Sequence, residues 1–211
     1  YATDILGYEP SKLDTWDLSY LNKLISWLAR GVLFSGDAWI GSNLAMAVGT
    51  LEIAANNLFN GSGASLMKAV GGTLSIARHK VSSDAEIHGL SGIDIWIPDD
   101  HQDPVKAMAY LAHEIGHRVD IQGGFTKGPG EWWNVVKRGI RETWIRDEGI
   151  GIRFVSSVNV PTDPGAVSHY ALTDVGEDFA ETFAYFALGG SYQEFQHPST
   201  GRGTAFWSYF P

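Results

Sequence analysis

The chain has 211 residues, 44% of them hydrophobic and 8 of them Trp, enough for one domain or a closely packed pair of lobes with a substantial core. A formal net charge of −9 argues against nucleic acid or an anionic membrane as a partner, because both need clustered Lys and Arg, so no nucleic-acid partner is expected. Cysteine is absent, which excludes disulfides, a thiolate nucleophile and Cys-ligated metals, and no apolar run reaches the length of a membrane span.

In chain order, Leu18, Leu21, Leu24, Ile25, Leu28 and Val32 recur at helical spacing and predict an amphipathic helix over 17–33. A second helix is expected over 42–58, terminated by Asn60-Gly61-Ser62-Gly63, and a short third over 64–70. Strands are predicted at 73–77 and at 93–97, where Ile93, Ile95 and Ile97 alternate with Asp94 and Trp96. A helix follows from Pro104, with Asp103 as its N-cap and Gly123-Gly124 as its stop. Residues 131–144 read as helix weakened by Gly139, 149–155 as a strand, 161–169 as loop, 174–188 as helix, and 203–210 as a last turn. The expected class is α+β, mostly helical, with a small mixed sheet whose edge strand precedes the helix at 104. Such an edge is one that an extended peptide can pair with.

That helix carries His113-Glu114-Ile115-Gly116-His117, which reads H-E-x-x-H. Residues four apart share a helix face, so His113 and His117 can bind one zinc ion while Glu114 stands beside them as a general base. With 7 His in the chain, chance supplies this pattern in roughly one such chain in a hundred, so context decides. The context is supportive: Val105, Met108, Leu111, Ala112, Ile115 and Val119 form an apolar stripe, and both histidines lie off it. Gly116 costs about 1 kcal/mol against alanine in a helix interior, a loss that close packing or metal-site geometry could justify. The alternative is a surface helix with two unrelated histidines.

A catalytic zinc site takes three protein ligands and leaves one position open. The extended pattern H-E-x-x-H-x-x-G-x-x-H is excluded, because its last two defined positions hold Asp120 and Gly123. The third ligand is therefore expected from the helix capped by Asp174. There Phe179, Phe183 and Phe186 supply a core face, Ala180 and Ala187 pack small against a neighbour, and Glu177 and Glu181 share another face at i, i+4. Two carboxylates so placed repel unless a cation lies between or beside them. The alternative is a solvated acidic first turn favoured by the helix dipole.

These residues resemble the zinc metallopeptidase domain of the anthrax lethal factor family, whose relatives include secreted Pro-Pro endopeptidases. The family pattern is H-E-x-G-H, often with Asp three residues on, then a distant Tyr followed seven residues later by the Glu of E-x-F-A-E-x-F. Here the matching residues are His113 to His117 with Asp120, then Tyr170, then Glu177-Asp178-Phe179-Ala180-Glu181-Thr182-Phe183. The resemblance covers about residues 90–190. It implies a zincin-like fold, with His113, His117 and Glu177 as Zn2+ ligands, Glu114 as general base and Tyr170 donating to the oxyanion. Asp120 and Glu181 would orient the ligand imidazoles. His169 and Asp178 are the rival third ligands. The segment 123–165 is expected to be an insertion that reshapes the cleft, and Trp132-Trp133 to be core anchors, with a substrate-contacting rim as the alternative.

The chain is thus expected to be one zincin-like domain over 1–211, with a helical N-terminal part at 1–60 and a catalytic part at 61–211. The expected activity is zinc-dependent endopeptidase action on a peptide or protein substrate, by a monomer. A start at Tyr1 rather than Met fits a trimmed form or a mature form after signal removal, and a secreted, extracellular location is expected. The alternatives are a zinc-binding toxin-like or binding module with decayed catalysis, and a helical binding protein with a chance motif.

Overall fold

The computed structural model describes residues 18–39, 41–79, 86–88, 92–96, 104–124, 138–147, 151–161, 170–172 and 174–189. The expected N-cap Asp103, residues 162–169 of the loop expected at 161–169, Trp132-Trp133 and the turn at 203–210 lie outside them. The described residues mix helix and strand, as an α+β chain should. In order they form α1 (Leu18–Ala29), β1 (Val32–Gly36), α2 (Gly41–Leu58), α3 (Gly63–Ala69), β2 (Leu74–His79), β3 (Glu86–His88) and β4 (Gly92–Trp96). Then come α4 (Pro104–Gly123), β5 (Arg138–Asp147), β6 (Gly151–Pro161), a 3-10 turn (Tyr170–Leu172) and α5 (Val175–Ala187).

Helix α1 stops four residues short of the predicted end. Gly31 takes φ +102°, a left-handed value that side chains disfavour, and the chain reverses there. Val32 then opens a strand instead of continuing the helical stripe, and it is fully buried. So the predicted N-terminal helical part contributes a strand to the same sheet as residues 74–96. That sheet has the order β1-β2-β4-β3. Strands β1, β2 and β4 run parallel, with Val32 opposite Leu74 and Ile76 opposite Ile93, while β3 is antiparallel to β4.

The sheet is mixed, as expected, but the strand just before α4 is not an edge. β4 is flanked by β2 and β3, and β3 is the edge strand on that side. The residues of β3 carry no clean alternating run longer than Glu86-Ile87-His88, so local pattern could not reveal it.

The predicted helix at 131–144 is corrected over its described part: residues 138–147 are strand β5, paired antiparallel with β6. Ile140, Thr143, Trp144 and Ile145 are strand formers, and Gly139 weakens a helix, so the partner strand decides the outcome. Strand β6 runs to Pro161, well beyond the predicted 155.

One core joins the layers. α2 touches α1, α3, α4 and α5, and α4 touches both α5 and the β3–β4 side of the sheet. Leu24 and Trp27 of α1, Leu51 and Leu58 of α2, Ile76 of β2, Ile93 of β4 and Leu111 and Ile115 of α4 are all buried in it. The aromatic face predicted for α5 is there too, with Phe179, Phe183 and Phe186 buried. Polar ties fix the helices at the rim of this core. Trp27 Nε1 donates to Glu52 Oε1 at 2.7 Å, and Asn57 Nδ2 donates to the Ala187 carbonyl at 2.9 Å, joining α2 to the end of α5. No helix among the described residues is long and apolar enough to cross a membrane.

Candidate metal centre

The site is made where α4 and α5 pack together. On α4, the stripe of Leu111, Ile115 and Val119 turns to the core, which leaves His113 and His117 on the flank facing α5. On α5, Asp174 caps the helix: its backbone is extended, and its Oδ1 accepts from the Gly176 N–H at 2.7 Å. Glu177 sits where a capping-box partner would, but its carboxylate turns to the histidines of α4.

Three ligand atoms converge. His117 Nε2 lies 2.9 Å from His113 Nε2 and 3.2 Å from Glu177 Oε2, and His113 Nε2 lies 3.0 Å from the same oxygen. Among the described residues this trio is the group of His, Asp and Glu able to hold a metal ion. A tetrahedral zinc ion with bonds of ~2.0–2.1 Å sets its ligand atoms about 3.3 Å apart, so the donor set suits one such ion. The trio also has the N and O donors that zinc takes.

His113 has a defined orientation. Its Nδ1 donates to Glu181 Oε1 at 2.7 Å, which leaves Nε2 as the nitrogen directed at the other two ligands. Glu177 and Glu181, one helical turn apart, thus divide the work: one faces the shared point, and the other holds an imidazole from behind. The carboxylates also set the local charge. Burial pulls the His113 pKa down, but hydrogen bonds to Glu177 and Glu181 and their charges outweigh it and push it up to about 9. Burial pushes Glu177 up, but hydrogen bonds to His113 and His117 and their charges hold it down at about 2. The cluster favours positive charge at its centre, which is what a divalent cation supplies.

Of the other predicted residues, Glu114 is buried at 5% exposure beside His113 on α4. Tyr170 opens the 3-10 turn just before α5, and its ring centroid lies 5.8 Å from that of His113, with 47% of the residue exposed. Asp120 is buried, one turn beyond Gly116 on α4. The rival ligand Asp178 is fully buried and does not join the trio. The other rival, His169, lies outside the described residues.

Arg118 was not singled out by the sequence. It is 2% exposed and donates from Nη2 to the Val70 carbonyl at the end of α3, at 3.1 Å. Burial lowers its pKa. Its position three residues after Ile115 continues the buried stripe, which was the available signal.

No protein-family model matches this chain, and no curated protein matches it.

Proposed function

We propose that this chain is a zinc-dependent endopeptidase with a zincin-type α+β fold, secreted and acting as a monomer on peptide or protein substrates. The observation that supports this reading is the convergence of His113 Nε2, His117 Nε2 and Glu177 Oε2 from two helices, beside an H-E-x-x-H glutamate. His113, His117 and Glu177 would hold the ion, and three protein ligands leave a position for water and substrate. Zinc bound there supplies Lewis acidity, bringing a water's pKa towards ~7 and polarising a carbonyl. Glu114 takes a proton from the attacking water and passes it to the leaving amine. Tyr170, exposed beside His113, donates its hydroxyl hydrogen bond to the developing oxyanion. Glu181 keeps the His113 imidazole in the orientation that presents Nε2.

Elemental analysis of purified protein should give about one zinc per chain, and Glu177→Ala should lose it. A peptide-library digest should show internal cleavage that a chelator abolishes. Zinc bound without cleavage would favour the binding module, and a chain that binds no zinc would end the peptidase reading.

A further inference from the structure

We propose that Gly116 is a positioning residue for the metal site, because its missing side chain sets the approach of α4 to α5. This inference rests on reading the trio as a metal centre. A Cβ at position 116 would lie 2.9 Å from Ala180 Cα, 2.9 Å from Phe183 Cβ and 3.1 Å from the Ala180 carbonyl oxygen. Non-bonded carbons settle about 3.5–4.0 Å apart, so α5 would have to move by roughly half an ångström or more. None of the three atoms is the end of a flexible side chain that could swing away. The helices themselves must part.

The contact lies in the middle of the site. His113, Gly116 and His117 follow one another on the same flank of α4, and on α5 Ala180 falls between Glu177 and Glu181. His117 meets Glu177 while His113 also meets Glu181, so the two carboxylates bracket the point where Gly116 touches α5. Parting the helices there draws Glu177 from both Nε2 atoms and Glu181 from Nδ1 together. Metal sites tolerate ligand displacements of only about 0.2 Å, so the shift exceeds what the centre accepts.

A second helical glycine makes the contrast. Gly49 lies within α2, and nothing stands within 4 Å of a Cβ built on it. The same substitution there fills open space and raises helix propensity.

The test compares the wild type with Gly116→Ala, Gly49→Ala and the double variant, the last supplying a stabilised background if the first folds poorly. Zinc affinity is measured by competition with a chromophoric chelator. In the metal-free proteins, NMR follows the His113 Nδ1–H proton, which the Glu181 carboxylate shields from exchange. Gly116→Ala, alone or in the double variant, should bind zinc at least about tenfold more weakly and lose the protected Nδ1–H signal. Gly49→Ala should keep both and melt at a higher temperature. Wild-type zinc affinity with an intact His113 signal in a Gly116→Ala protein would overturn the proposal. If the wild type itself binds no zinc, the metal reading fails, while the Nδ1–H signal still reports whether Gly116 sets the contact between the helices.

Discussion

Helices α2 and α4, of 18 and 20 residues, both lie in the core, yet they bury different chemistry. The buried face of α2 is Leu, Val, Met and Ala, with Asn43 and Thr50 as its polar members. Thr50 satisfies itself locally, donating to the Met46 carbonyl at 2.9 Å. Between positions 113 and 120, α4 buries His113, Glu114, Arg118 and Asp120. Burying ionisable groups is costly unless they are paired or bind an ion. A helix that only had to fill a core would look like α2. On α4 the buried histidine is met by the carboxylates of α5, Glu181 at Nδ1 and Glu177 at Nε2.

The comparison is sharpest under mutation. Glu114→Gln keeps the shape of the side chain and removes the base. On the proposed function, peptide hydrolysis should fall by about 10³-fold, within the usual range for one acid–base group, while zinc content and melting temperature stay close to wild type. Substantial residual turnover would place the base elsewhere. Leu51→Ala on α2 should do the reverse. Leu51 is fully buried, so its truncation should cost about 3 kcal/mol by chemical denaturation, with zinc affinity unchanged in the folded protein. A selective loss of zinc there would erase the distinction between the two helices.

Tyr170→Phe tests the rim of the site. The ring remains and only the donor goes, so kcat should drop by about 10²-fold with little change in KM or stability. Wild-type turnover would remove Tyr170 from the chemistry and weaken the resemblance that suggested it.

The smallest effect is on stability against pH. In the metal-free protein, Glu177 is held at about 2, below its ordinary 4.5. Its contribution is present above 4.5 and is lost as pH falls through 2. His113 is raised from 6.5 to about 9, so its contribution is full below 6.5 and is lost as pH rises through 9. Metal-free protein should therefore gain most from the cluster between about pH 4.5 and 6.5. Zinc needs deprotonated imidazoles, so the difference in melting temperature between zinc-loaded and chelated protein should widen from pH 6.5 to 9. The Leu51→Ala deficit should hold steady over the same range. A constant zinc effect would show that the cluster's protons are not displaced by the metal.

Much of the site was legible because its parts are local. Asp174 caps α5, and the aromatic face of that helix follows the 3.6-residue period. The spacing of His113 and His117 needs only a helix to put them on one side. Local signals misled where a partner strand decided the outcome. Val32 continued a helical stripe, but Gly31 turned the chain and β2 claimed the residue as a strand. Residues 138–144 carried a plausible helix pattern until β6 paired with them. Arg118 went unnoticed because a charged residue on a buried stripe looks, in sequence, like an interruption of it.

The sequence alone determined that two imidazoles and a glutamate stand together on α4, and that a helix bearing two carboxylates lies farther along the chain. Helical periodicity fixes such relations over a few residues, whatever surrounds them. It could not decide which carboxylate meets Nε2 and which meets Nδ1, since Glu177 and Glu181 share one helix face. The family resemblance, through the Tyr170 spacing, named Glu177 as the ligand, and tertiary packing sets the contacts themselves. Gly116 lets α5 approach until its Ala180 backbone is in contact, and at that separation Glu177 reaches both Nε2 atoms while Glu181 reaches Nδ1 of His113. A contact between residues 60 or more positions apart depends on how two helices are pressed together by the whole core, and no local pattern encodes that distance.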